Sequence, residues 1–334
     1  MTELQPDRTD AILGGQNPQP VNAAVLGGVA GAKQQIAKEW GLSDELVDQL
    51  SKTHKIFSFE TVTTNNSGEI IRRTRKHAFY YTENLGEGVN LDMVYIPGGN
   101  FIMGTPEDMS VDEDVVDQLI KYEIPQHFVD VPAFYMAKYP ITQEQYQSII
   151  GKNPSKHIES RHPVEQVNWF EAREYCQKLV QKTGKPYVIP SESQWEYACK
   201  AGTNTIFYFG DIITTDLANY NGKFSYENYS LGLNRQQTTE VDKFPPNSFG
   251  LYDLHGNVSE WCADTWHTNY NGAPIDGKPW VDNLPEEIFQ GGYYNHVLRA
   301  GNWFVGLGFC RSACRSAGSD IPSIVGFRVV CLLD

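Results

Sequence analysis

The residues most able to do chemistry are six cysteines, Cys176, Cys199, Cys262, Cys310, Cys314 and Cys331. A thiolate is a nucleophile and a soft metal ligand, but zinc and dithiol redox sites announce themselves as close pairs such as C-x-x-C, and none of the six forms one. In a chain of 334 residues they are expected as free thiols rather than as a disulfide framework. The eight histidines are scattered, and a lone histidine is more often a surface or hydrogen-bonded core residue than a ligand. Arg299, Arg311, Arg315 and Arg328 concentrate near the C-terminal end of the sequence. A guanidinium fork ties loops to carboxylates and carbonyls where regular ladders are lacking, so a scaffold role is expected, with anion binding as the alternative. Trp195, Trp261 and Trp303 are expected as core anchors rather than as a ligand-stacking platform.

These arginines lie in fixed-looking frames at 298–303, 310–315 and 326–330. Between the frames the residues are small, aromatic and branched apolar in no periodic order. They do not read as core. Phe304, Leu307 and Phe309 among glycines would make an apolar recognition patch on flexible backbone, suited to a protein or peptide partner.

The elements that must position these groups follow from local signals. Residues 1–30 are rich in Gly, Pro, Gln, Asn and Ala and read as a flexible tail. The segment 31–90 reads as a small N-terminal unit. Two short helices are expected there, one from Ala32 to Trp40 and one capped by Ser43, with Ile36, Leu46, Val47 and Leu50 turned inward. A hairpin from Lys55 to Tyr81 follows, turning at Asn65-Asn66-Ser67-Gly68. The main domain, 91–334, opens with two short apolar strands around Pro97-Gly98-Gly99. Three helices then begin at Thr142, Asn168 and Ser191, each with a Gln or Glu three residues on, the signature of a capping box. The second carries a stripe of Ala172, Tyr175, Cys176, Leu179 and Val180; Cys176 and Cys199 are therefore packing residues. Beyond Lys200 the sequence reads as turns and short strands.

Composition excludes several classes. A formal charge of −14, with no basic run beyond Arg72-Arg73-Thr74-Arg75-Lys76, argues against nucleic acid as a partner. No apolar stretch approaches the roughly 20 residues that span a bilayer. Met1-Thr2-Glu3-Leu4-Gln5-Pro6-Asp7 lacks a basic n-region and an apolar h-region, so a cytoplasmic protein without membrane contact is expected.

One ordered set of phrases carries a resemblance: Ile96-Pro97-Gly98-Gly99 with Met103-Gly104; Tyr139-Pro140-Ile141-Thr142; Pro163-Val164 leading to Val167-Asn168-Trp169; Ile189-Pro190-Ser191-Glu192-Ser193-Gln194-Trp195-Glu196-Tyr197-Ala198; Asn247-Ser248-Phe249-Gly250-Leu251-Tyr252-Asp253; Gly256-Asn257-Val258-Ser259-Glu260-Trp261; Arg299-Ala300-Gly301-Asn302-Trp303; and Gly326-Phe327-Arg328. In this order they resemble the formylglycine-generating-enzyme and sulfatase-modifying-factor family. The resemblance implies an α+β, irregular, loop-rich C-type-lectin-like fold for 91–334, beside the small N-terminal helical and hairpin segment. The family holds oxidases, iron-dependent sulfoxide synthases and non-enzymatic binding proteins, so function has to be argued from the site.

Three functions are implied by different branches. The oxidase binds copper(I) through two thiolates shortly after the tryptophan matching Trp303. Here Val305 stands two residues after it, leaving Cys310, with Cys314 as a second thiol only if the loop is rebuilt. The iron-dependent branch takes a His-x-x-x-His-x-Glu segment, which the eight histidines do not supply. The closest resemblance is to the variable proteins of diversity-generating retroelements, which display mutagenised residues on an invariant scaffold. That resemblance makes Phe304, Val305, Gly306, Leu307, Gly308, Phe309, Cys314, Ala317, Gly318, Ser319, Ser323, Ile324 and Val325 the ligand-binding positions, with a variable segment of about 298–330. No catalytic residue is then expected; the partner is a protein or peptide, and the N-terminal segment would pass the event to a signalling partner. The alternatives are the copper- and oxygen-dependent oxidase and an inactive structural relative. The resemblance also implies a structural calcium ion at Asp253, Gly256, Val258 and Glu260, two carboxylates and two carbonyls. A second calcium loop is matched only at Asn219 and Tyr220.

Overall fold

Each of the three helices after residue 140 starts where its cap dictates. In the computed structural model, which describes residues 28–107, 109, 119–224, 231–282, 296–318 and 324–333, complete capping boxes open α3 (Gln143–Ile150, capped by Thr142), α4 (Trp169–Thr183, by Asn168) and α5 (Glu192–Lys200, by Ser191). Side-chain oxygens thereby satisfy amides that no helical carbonyl can reach. Gly151 and Gly184 close the first two in the left-handed conformation. The stripe on α4 is as read: Ala172, Tyr175, Cys176 and Leu179 are buried. On α5 every residue is buried, charged ones included. That places Glu192, Glu196 and Lys200 inside the protein.

The N-terminal elements are α1 (Gly28–Trp40), α2 (Asp44–Thr53, capped by Ser43), β1 (Lys55–Thr64) and β2 (Ile70–Gly86). The hairpin does turn at Asn65–Gly68, where the Gly68 amide donates to the Asn65 carbonyl. It does not stand apart from the main domain. β2 pairs with β3 (Val89–Ile96), and the six-stranded sheet runs β1-β2-β3-β6-β12-β7, with β6 Phe134–Ala137, β12 Val330–Leu332 and β7 Tyr187–Val188. Successive strand residues face opposite sides. Val94, Ile96, Phe134, Met136 and Val330 enter one core, with Trp195 and Phe249. Met93, Tyr95, Tyr135, Ala137 and Cys331 enter a second, with Tyr146, Tyr175 and Phe327. A sheet buried on both faces is why its strands read as apolar runs without alternation.

The two strands around Pro97 part company: β3 belongs to the large sheet, whereas β4 (Gly99–Met103) pairs with β5 (His127–Val131). A Cβ on Gly98 would sit 2.8 Å from the Ala133 amide nitrogen, so the crossing requires glycine. A third, four-stranded sheet follows the order β10-β9-β8-β11, from β10 (Ser316–Gly318), β9 (His296–Arg299), β8 (Ser259–Thr265) and β11 (Val325–Gly326). No helix among the described residues is long and apolar enough to cross a membrane.

Candidate recognition cleft

The four-stranded sheet brings distant residues into one place. β10 and β11 lie at its opposite edges, and over it opens a cleft of about 300 Å³. Its wall is built by Phe304, Val305, Phe309, Cys314, Ala317, Ile324 and Val325, seven of the positions read from the sequence. Gly306, Leu307 and Gly308 do not join them. A 3₁₀ turn, Leu307–Cys310, rotates that segment inward, and Leu307 packs in the core beside Cys310. Gly318 is also buried, its Cα against Trp261, where a Cβ would lie 2.0 Å from the indole. Ser319 and Ser323 lie outside the described residues. Sequence reasoning missed Ser259, Leu298, Asn302, Arg315 and Ser316, which complete the lining. They sit in or beside the frames, and alternation along β10 would have shown that Ser316 and Ala317 cannot share one environment.

The rim is tied down through main-chain groups, which hold whatever the side chains are. The Asn221 amide donates to the Val305 carbonyl at 2.9 Å, and the Asn221 side chain donates to Phe304 O. Asn302 Oδ1 accepts from the Phe304 amide, and Asn302 Nδ2 donates to Ser259 Oγ at 3.0 Å. Phe304 itself is 59% exposed, so its ring is held out to solvent by a backbone fixed from two sides.

Beneath the cleft lies a set of buried ion pairs. Arg299 donates to Glu192 Oε1 at 2.9 Å, Glu196 Oε2 at 2.6 Å and the Ser312 carbonyl. Arg315 grips both oxygens of Glu192, and Arg311 both oxygens of Glu123. Arg328 grips both oxygens of Glu260, whose Oε2 also accepts from Trp195 Nε1 at 2.7 Å. Bidentate guanidinium pairs are the strong, directional form of this contact. Burial alone would raise the Glu196 carboxyl, yet Lys200 and Arg299 hold it down at about 2. The arginines of the frames are thus scaffold, committed to carboxylates from α5, β8 and the 120s loop. Trp195 and Trp261 are core anchors; Trp303 is only half-buried.

Asp264 is a further buried carboxylate at this helix. It accepts from the Glu192 amide at 2.6 Å and the Trp280 amide at 2.8 Å. Burial, reinforced by the Glu192 charge, raises its carboxyl to about 7 from 3.8. Between about pH 4 and 7 the folded state therefore binds a proton the unfolded chain has released, so this stabilisation is complete below 4 and lost as pH rises to 7. Asp264→Asn should flatten the fall in melting temperature across that window. An unchanged slope in a thermal-shift series would remove Asp264 as its source.

The thiols and the metal candidates are placed less favourably for chemistry. Burial raises the Cys310 thiol, and raises Cys314 to about 12, so neither is poised as the thiolate copper(I) takes. Cys314 lines the cleft; Cys310 packs beneath it against Gly301, with Val305 on the wall above. These residues do not fit a two-thiolate copper site as arranged. Nor do Asp253, Gly256, Val258 and Glu260 fit calcium, which takes six to eight converging oxygens. Glu260 is committed to Arg328 and Trp195, while Asp253 accepts from the Asp242 amide and Asn257 Nδ2. Among the described residues no group of three or more His, Cys, Asp or Glu side chains is arranged to hold a metal ion.

Comparison with known proteins places this geometry. The family profile described as sulfatase-modifying factor enzyme 1-like domain matches residues 85–332. The formylglycine-generating enzyme of Mus musculus is 31% identical over 238 residues, covering 66% of this chain and 57% of that protein. The chain spans between 37% and 65% of the length of the first curated relatives it matches. Among solved structures, PvdO from Pseudomonas aeruginosa superposes with a TM-score of 0.62 at 30% identity, over 76% of this chain and 98% of that one. Treponema denticola variable protein 1 superposes with a TM-score of 0.59 at 24% identity, over 75% and 98%. The last likeness is one of fold.

Proposed function

The chain belongs to the sulfatase-modifying factor enzyme 1-like family, and from that premise we propose that it is a non-catalytic member that binds a protein or peptide on a diversified C-terminal surface. One observation carries this: seven positions from the gaps between the frames converge on one cleft, while the frame arginines are consumed in buried ion pairs below it. Side chains on the wall can then change while the groups that hold the fold stay fixed. The likeness to a solved variable protein supports the same reading. The N-terminal helices, joined to the main sheet through β2, are the proposed route to a signalling partner, and the cytoplasm is the proposed location.

The test is to sequence the coding segment for residues 298–330 and its flanking DNA from many isolates. Substitutions confined to the gap positions, tracing to adenines in a near-identical template repeat, are the expected result. A uniform segment without a template overturns the reading. It would favour the oxidase, for which copper(I) should bind tightly and be lost in Cys310→Ser.

A further inference from the structure

A larger cavity lies elsewhere and shares no lining residue with the recognition cleft. It is a groove of about 750 Å³ between α4 and the edge strand β7, closed by Ala263 of β8. This is within the size range of small-molecule sites, roughly 300–1,000 Å³. Val180, Val188 and Ile189 line it with aliphatic surface, and Val188 is 37% exposed although it sits in a sheet.

One wall is a rigid aromatic ring. Trp169 Nε1 donates to the Cys262 carbonyl at 2.9 Å, and the indole stacks on His296 at a centroid distance of 3.8 Å and an interplanar angle of 1°. Both contacts fix the ring before anything enters the groove, so no side-chain order has to be created on binding. The single charged lining residue is Arg173, one turn along α4, whose guanidinium carbon lies 5.8 Å from the Trp169 ring centroid. It is exposed and makes no ion pair among the described residues, unlike the frame arginines. No acidic side chain lines the groove. An apolar trough with one uncommitted guanidinium at its side complements a molecule with an apolar body and one anionic end.

The geometry points to a binding site for a small amphipathic carboxylate: the chain lies along Trp169, Val180, Val188 and Ile189, and the carboxylate pairs with Arg173. Decanoate, with decanol as its neutral counterpart, tests this by titration calorimetry on the full chain. Saturable one-to-one binding of decanoate is expected, about tenfold tighter than decanol, the ratio that one charge-assisted contact of roughly 1.4 kcal/mol gives. Arg173→Gln should bring decanoate to the level of decanol and leave decanol unchanged. Gln177→Trp, at an exposed lining position, should fill the groove and remove both. Both substitutions are on the surface of α4, and circular dichroism checks that the fold is kept. Absence of saturable binding, or binding that survives Gln177→Trp, overturns the site; acid and alcohol bound alike, with Arg173→Gln silent, overturns the anion assignment.

Discussion

Replacing Arg328 by methionine should destabilise the fold by about 3–5 kcal/mol, because it leaves Glu260 as an uncompensated buried charge. Arg328 is fully buried, and besides the fork to Glu260 it donates to the carbonyls of Ala137 and Tyr252. One side chain therefore joins β6, β8 and the loop before Gly256. The pair as a whole is a weaker contributor than the loss of one partner suggests, since desolvation of two ions offsets much of their attraction. The double variant Arg328→Met, Glu260→Gln should accordingly recover much of the loss, because the amide carries no charge and can still accept from Trp195. Urea denaturation of the two variants decides the matter: a single-variant loss below about 1 kcal/mol, or a double variant no better than the single, would show that the fork is incidental to stability.

Gly256→Ala should cost nearly as much for a steric reason. Gly256 has φ +85°, and an added Cβ would lie 2.3 Å from the Asn219 carbonyl oxygen, with which the loop forms a parallel bridge. Its own amide donates to the Ala300 carbonyl at 2.6 Å, so the backbone has no room to retreat. Overpacking of about 1–3 kcal/mol and a left-handed residue at about 1–2 kcal/mol add to roughly 2–4 kcal/mol. The loss should be the same in calcium-containing and chelator-containing buffers. A loss seen only with calcium present would mean that the Gly256 carbonyl acts as a ligand after all.

How much of this was legible in the sequence follows the range of each interaction. The caps at Thr142, Asn168 and Ser191, the Ser43 cap and the turn at Asn65–Gly68 are local and were read correctly. The partners of the arginines were not: Arg328 meets Glu260 and Arg315 meets Glu192 across most of the main domain, a closure that no local pattern encodes. One signal was available, since Glu192, Glu196 and Lys200 recur at helical spacing on a helix with no polar face to spare. The hairpin looked like a separate unit because its pairing with β3 is set by packing on both sheet faces. In the cleft, residue type misled. Leu307 and Gly318 lie among surface residues in sequence, yet a 3₁₀ turn buries the first and the Trp261 ring stands against the second. The calcium loop matched in letters, but its glutamate is held by Arg328.

The buried forks also set a rule for how this sequence can change over time. Each frame arginine is pinned to a carboxylate on another element, and β10 alternates sides at every step. The content of the gaps is therefore free while their length is not: a single inserted or deleted codon between 299 and 328 would drag a guanidinium off its carboxylate or turn Ala317 into the place of Gly318, against Trp261. Point changes are the only currency such a surface accepts, so variation copied base for base suits it and slippage does not.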